Sequence, residues 1–246
     1  MSRLEEKNLG FRALGENVRI FPGAKLYGRE FISIGSNVII DDYVFIYATA
    51  PIFIGSYVHI ASFTSISGGG VVVLEDFSGL SSGVRILCGS EDFLGGGLTN
   101  PCVPPEYRCV ERASVHIGRH AIIGANAVVM PGVSIGEGCA VGAGAVVGKN
   151  LEPWGVCVGA PARRIKTRDS SLILAKETQL IIERPFAPLL PSQFNDYLLD
   201  PSLATVIPRI PRCPDDVLPA GQHSYPCLQG DLLRRGAHQR HAPKPR

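Results

Sequence analysis

Aliphatic residues recur at every sixth position through most of the chain. Between residues 117 and 147 the series is Ile117, Ile123, Val129, Ile135, Val141 and Val147, and glycine directly follows five of these six. Small or medium apolar residues stand four places after the first five: Ala121, Ala127, Val133, Cys139 and Ala145. Upstream the hexad is stretched by two residues at every third unit. It runs Leu14, Ile20, Leu26; Ile34, Ile40, Ile46; Ile54, Ile60, Ile66; Leu74, Leu80, Ile86, so equivalent positions are 20 residues apart. One amphipathic helix needs apolar residues three and four apart, which this series lacks. Short strands joined by tight bends, three to each turn of a solenoid, fit it. Each aliphatic then points to the axis and stacks on its equivalents in neighbouring turns, whose strands lie about 4.8 Å apart. Glycine after each aliphatic suits the bend, where a side chain would clash or the backbone would need positive φ. An ordinary β-sandwich would require all of these positions to fall in register by coincidence.

Composition divides the chain. Of 28 glycines, 25 fall in residues 1–167, whereas 11 of the 19 prolines fall in 168–246. We therefore read a lead-in over 1–13, the solenoid over 14–167 with a long loop at 88–115, and a Pro-rich extension over 168–246. Within that extension "SSLILAKETQLIIE" is expected to form a short helix packed on the last open turn. The basic, proline-punctuated remainder is expected to be disordered. A net charge of +2 argues for neither nucleic acid nor a membrane surface as the main partner. No apolar run approaches the roughly 18 residues of a membrane span, and "MSRLEEKNLG" lacks the apolar centre of a secretory signal. Seven cysteines without a CxxC pair read as reduced thiols of a cytoplasmic protein, with no zinc site expected.

The stretch "IGRHAIIGANAVVMPGVSIGEGCAVGAGAVVGKN", followed by "PWGVCVGAPARRIK", resembles the hexapeptide-repeat acyltransferases. The nearest likeness is to the galactoside and maltose O-acetyltransferase group of sugar O-acetyltransferases, some of which serve surface-polysaccharide synthesis. The resemblance spans residues 14–167. It implies a left-handed parallel β-helix, a homotrimer, and acetyl-CoA bound as co-substrate between neighbouring subunits. The expected activity is acetyl transfer to a hydroxyl of a sugar or nucleotide sugar. By this resemblance Ala125, Ala143, Gly148, Lys149, Arg163 and Lys166 match cofactor-contacting positions, and Arg164 belongs to the same cationic cluster. Small side chains at Ala125 and Ala143 would let the pantetheine arm approach the backbone, and the cations would meet the phosphates. The plainer alternative is that the alanines pack tightly and the cations are solvated.

The hexad breaks once, after Ile86, where about 30 residues intervene before Ile117; such an excursion is ordinarily functional. Its Gly, Pro and Asn content suits a shaped lid rather than another strand. Acetyl transfer to a neutral hydroxyl needs a base and donors for the oxyanion. Galactoside-type relatives carry a histidine near the loop's start, and here Glu91 stands in that place. The candidate catalytic groups are therefore Glu91, its neighbour Asp92, and His59, which precedes the inward Ile60 and so points outward. His116 could flank the loop's re-entry, and His120 is expected to be solvated at a bend. The run "SGGG" reads as a widened corner, not a phosphate loop. N-acetylation of an amino sugar or xenobiotic is the nearest alternative, and a non-catalytic scaffold is the alternative of another class. Metal-dependent hydration of the γ-carbonic anhydrase kind needs three converging histidines, which this spacing does not supply.

Overall fold

A computed structural model describes residues 9–186. Strands of mostly two or three residues stack into three parallel sheets that form the faces of a prism. The first face begins at Ala13–Leu14 and runs through Ile32–Ile34, Ile52–Ile54, Val72–Leu74, Val115–Ile117 and Ser134–Ile135. The second runs from Arg19–Ile20 through Ile39–Ile40, His59–Ile60, Gly79–Leu80, Ile122–Ile123 and Ala140–Val141 to Gly155–Val158. The third runs from Lys25–Tyr27 through Phe45–Tyr47, Ser65–Ser67, Arg85–Leu87 and Val128–Val129 to Val146–Val147. Ile34 pairs with Ile54, Ile40 with Ile60, and Ile46 with Ile66. After the loop the repeat tightens, and Ile117 pairs with Ile135 and Ile123 with Val141. The architecture is the three-sided parallel solenoid expected from the hexads, a β-helix of the left-handed kind that the resemblance implied.

From Leu26 onward every aliphatic of the hexad series is buried, while Leu14 and Ile20 of the first coil are half-buried. The glycines that follow these aliphatics are explained by close approach alone. A Cβ on Gly35 would lie 2.7 Å from the carbonyl carbon of Gly55, and one on Gly55 would lie 2.6 Å from the Asp76 nitrogen. Neither glycine adopts positive φ. The left-handed residues come two places later, at Asn17, Asn37, Tyr57, Phe77 and His120. They form one column along the corner between the first and second faces.

That corner is a stack of side chains. Asn17 donates to Asn37 (2.8 Å), Tyr57 stacks on Phe77 (5.0 Å between centroids), and Phe77 stacks on His120 (5.1 Å). Trp154 continues the column beyond Gly138, tilted over His120 at 6.3 Å. Beside it a polar spine satisfies the bend amides: Ser36 N–H donates to Ser56 Oγ (3.0 Å) and Ser56 N–H to Asp76 Oδ1 (2.7 Å). His120 is therefore buried, not solvated as expected from its place at a bend, because neighbouring rings enclose it and Glu177 accepts from its Nε2 at 2.7 Å.

The chain leaves the last coil through Arg163–Thr167, an antiparallel strand laid on Gly155–Val158. The expected helix follows at Ser171–Glu183. Its position differs from the expectation. Glu177 pairs with Arg119 and His120, and Phe186 meets Tyr57 and Phe77 edge-on at 5.0 and 5.8 Å. The helix thus runs down the aromatic corner instead of covering the open turn, since the antiparallel strand already occupies that edge. The basic, Pro-rich end of the extension lies outside the described residues. Gly138 combines a φ of +65° with a Cβ position filled by the Trp154 ring. Gly138→Ala should cost about 2–3 kcal/mol, read as a fall in thermal midpoint; a wild-type midpoint would refute the packing of this corner.

Candidate active site

The corner between the second and third faces carries a column of small outward residues. Gly83 N–H donates to Ser62 O (3.0 Å), Asn126 N–H to Ser82 O (2.9 Å), and Gly144 N–H to Ala125 O (2.8 Å). Ser62, Ser82, Ala125 and Ala143 thus occupy successive rungs at the same place in the bend. Ser82 and Ala143 are exposed and Ala125 half-buried. A long thin ligand laid along this line could reach the backbone of three consecutive coils.

Cations gather at the upper end of the line. Val146 N–H donates to Gly159 O (3.0 Å) and Ala162 N–H to Val146 O (2.8 Å), which folds residues 159–162 across the top of the third face. Gly148 and Lys149 leave that face exposed, and Arg163, Arg164 and Lys166 lie on the exposed closing strand. Among the described residues none of these four cations pairs with a carboxylate. Arg163 donates only to the Ala162 carbonyl (3.1 Å) and Arg164 to Thr167 Oγ1 (3.1 Å). Unpaired cations beside exposed backbone are what phosphate groups require.

The three candidate catalytic residues are not brought together within one chain. His59 lies on the second face, flanked by Ile39 and Gly79, and donates from Nε2 to Asp41 Oδ2 at 3.0 Å. The long loop instead departs past the third face, at the opposite corner. Its base is a small antiparallel ladder, Gly89–Glu91 against Val110–Arg112, where turn-rich composition suggested no strand. Glu91 is clamped by Arg108 from across this ladder. Asp92 follows, half-buried, at the turn of the loop, and its carboxylate accepts from the amides of Leu94 (2.9 Å) and Gly96. Those amides hold the Asp92 carboxyl below the usual carboxylate range, so it stays an anion. His116 sits between Ser134 Oγ (3.2 Å) and Glu75 Oε1 (2.6 Å) on the first face. Its hydrogen bond lowers the Glu75 carboxyl further than burial raises it.

Sequence reasoning passed over Ser82, Asn126 and Arg85. Ser82 could have been found, because it stands eight residues beyond Leu74 just as Ala125 stands eight beyond Ile117. Among the described residues no group of three His, Cys, Asp or Glu is placed to hold a metal ion. No helix among them is long and apolar enough to cross a membrane.

A parallel β-helix with an open line of small residues, a terminal cationic cluster and one emergent loop defines the class of protein. The chain belongs to the hexapeptide-repeat transferases. Residues 114–149 match the bacterial transferase hexapeptide (six repeats) family. Along 174 residues the chain is 41% identical to the dTDP-4-amino-4,6-dideoxy-D-glucose acyltransferase of Escherichia coli, covering 70% of this chain and 91% of that protein. Among solved structures it is similar to AntD, an N-acyltransferase from Bacillus cereus. With dTDP and 3-hydroxybutyryl-CoA bound, AntD is 37% identical, has a TM-score of 0.66, and the match covers 71% of this chain and 92% of that one. A variant of AntD holding dTDP-4-amino-4,6-dideoxyglucose and coenzyme A is 38% identical, with a TM-score of 0.67 and coverage of 70% and 91%. The AntD structures include variants of a serine and of an aspartate ten residues further along. The chain is thus an acyltransferase by family.

Proposed function

We propose that the protein transfers an acyl group from acyl-coenzyme A to the amino group of a dTDP-linked amino sugar of the 4-amino-4,6-dideoxyglucose type. The observation that carries this reading is the line Ser82–Ala125–Ala143 ending at four cations that pair with no carboxylate among the described residues. The pantetheine arm lies along that line, with its phosphates among Lys149, Arg163, Arg164 and Lys166, Gly148 giving it clearance, and its thioester near Ser82. Ser82 and Asp92 are the only serine and aspartate in the sequence with the order and spacing of the pair altered in AntD. We assign Ser82 to the thioester end and Asp92 to the acceptor.

The acceptor in this reading is an amine, not the hydroxyl expected from the sequence, because the relatives at 38% and 41% identity carry amino-sugar and N-acyltransferase names. The chemistry agrees. A neutral amine attacks a thioester without prior help from a base, so the histidine absent from the loop's start is not a loss. Attack by nitrogen gives a tetrahedral intermediate. That intermediate sheds the amine's proton and expels coenzyme A as the thiol. Since Ser82 and Asp92 emerge at different corners of one chain, we infer that a neighbouring subunit supplies the second of them, in a homotrimer of cytoplasmic location.

The test is thiol release from acetyl-CoA with dTDP-4-amino-4,6-dideoxyglucose and, in parallel, with the matching sugar bearing a 4-hydroxyl. Turnover is expected with the amine alone. Equal turnover with the hydroxyl would return the reading to O-acylation, and release with neither would leave a scaffold. Glu91→Gln keeps one of the two acceptor oxygens that face Arg108 and loses the charge. Activity should fall less than tenfold, since Glu91 shapes the loop. A loss of about a hundredfold or more, typical of a missing general base, would make Glu91 the base after all.

A further inference from the structure

Outward side chains on two faces of the prism are at least partly exposed. On the second face Ile39 and Ile122 are 36% and 46% exposed, and on the third Phe45 is 42% exposed. The first face differs. Ser33, Phe53 and Val73 pair rung to rung in one column there. Each stands between two inward aliphatics of its strand and so points away from the axis. Yet they are only 0%, 1% and 2% exposed. One rung higher, His116 is half-buried, so the cover thins above Val73. Helix Ser171–Glu183 is not that cover, because it runs down the neighbouring corner and buries none of its own residues. The cover is also apolar. Ser33 Oγ is buried without a hydrogen-bond partner, and a polar cover would have supplied one.

We propose that the first face is the dock of the chain's own segment 187–199, "APLLPSQFNDYLL", whose leucines and aromatic rings seal Phe53 and Val73. The segment lies beyond the described residues, but the chain enters it at the right place. Phe186 sits edge-on against Tyr57 and Phe77, at the corner that bounds the first face and in the two coils that carry Phe53 and Val73. Reach is sufficient. Ser33 to Val73 spans two strand spacings, about 10 Å, and a segment of this length extends to about 40 Å. Chemistry selects the same segment. It carries Leu189, Leu190, Phe194, Tyr197, Leu198 and Leu199 against one charge, Asp196. The other chain end leading to this face, "MSRLEEKN", holds four charges in eight residues, and burying them against a phenyl ring would be costly. Strands of the first face spend their amides and carbonyls on one another, so a cover laid over them attaches through side chains. Pro188 and Pro191 suit that arrangement, since they bring no amide that would go unpaired. The inference stands apart from the proposed reaction.

Val73→Cys in the full chain, alkylated with iodoacetamide and read by peptide mass spectrometry, tests the dock. The new thiol should react about tenfold or more slowly than exposed Cys102 of the same molecule, since a covered thiol reacts only through local opening. Adding Leu190→Asp and Phe194→Asp should bring the two rates within about threefold, because the charges cannot lie on an apolar face. Circular dichroism should still show a folded solenoid. If that pair disturbs folding, the milder Leu190→Ser with Phe194→Ser should speed labelling in the same direction. Rapid labelling with the segment intact overturns the inference, as does slow labelling that persists in both substituted chains. Release by Val206→Asp with Ile207→Asp alone would place the cover farther along the chain and overturns it too. Protection that fades on dilution would make a second copy the occupant, with the same consequence.

Discussion

Ile123→Asp is expected to yield no cooperatively folded protein. Ile123 is fully buried and pairs between Leu80 below and Val141 above, so a carboxylate there meets hydrocarbon on both sides of its rung. Burying an unpaired charge costs several kcal/mol, and losing the isoleucine's packing adds about 2–5 kcal/mol. Together these reach the ~5–15 kcal/mol that holds an ordinary domain together. Ile122→Asp, on the same two-residue strand, should differ sharply. Ile122 points outward and is 46% exposed, so its replacement should change stability by about 1 kcal/mol at most. Soluble yield and circular-dichroism melts of the two variants would decide the matter. A soluble Ile123→Asp melting like wild type would break the inward assignment of the hexad series, and with it the stacked corners on which the candidate site is built.

The solenoid was legible because burial on its axis is periodic, and a periodic demand leaves a periodic trace. Ile34, Ile54 and Leu74 announce their stacking by spacing alone. Corner chemistry was less legible, since it depends on which bends coincide after the loop shifts the count. Ser82 joins Ala125 only once Leu80 is known to pair with Ile123 across more than 40 residues. His120 looked solvated because a bend residue usually is. Its burial follows from Phe77 below, Trp154 above and Glu177 arriving from the helix, none of them near it in sequence. Even the glycines were only partly readable. Pattern placed them at the bends, but the reason proved to be the neighbouring coil's backbone and not positive φ.

Asp92→Asn should lower kcat/KM by about a hundredfold or more while lowering the thermal midpoint only slightly, because the half-buried side chain bonds only within its own turn. The asparagine oxygen can still accept from the Leu94 amide, while the contact with the Gly96 amide is lost along with the charge. In the proposed reaction an amino sugar arrives chiefly as an ammonium, and a fixed anion draws it in. The ammonium gives its proton to water to become the neutral amine that attacks, and the anion then stabilises the cationic nitrogen of the tetrahedral intermediate until its second proton leaves. The pH profile separates this role from that of a titrating base. With its carboxyl held below the ordinary range by two backbone amides, Asp92 is ionised throughout the working range. Activity falling toward acid pH must then follow protonation of the acceptor amine, and its midpoint should stay in place when Asp92 becomes Asn. The limb should move only when the acceptor is exchanged for one of different basicity. Turnover in Asp92→Asn within about threefold of wild type would remove Asp92 from the site. An acid limb that disappears in the variant would show instead that the carboxylate itself takes up the proton during the rate-limiting step.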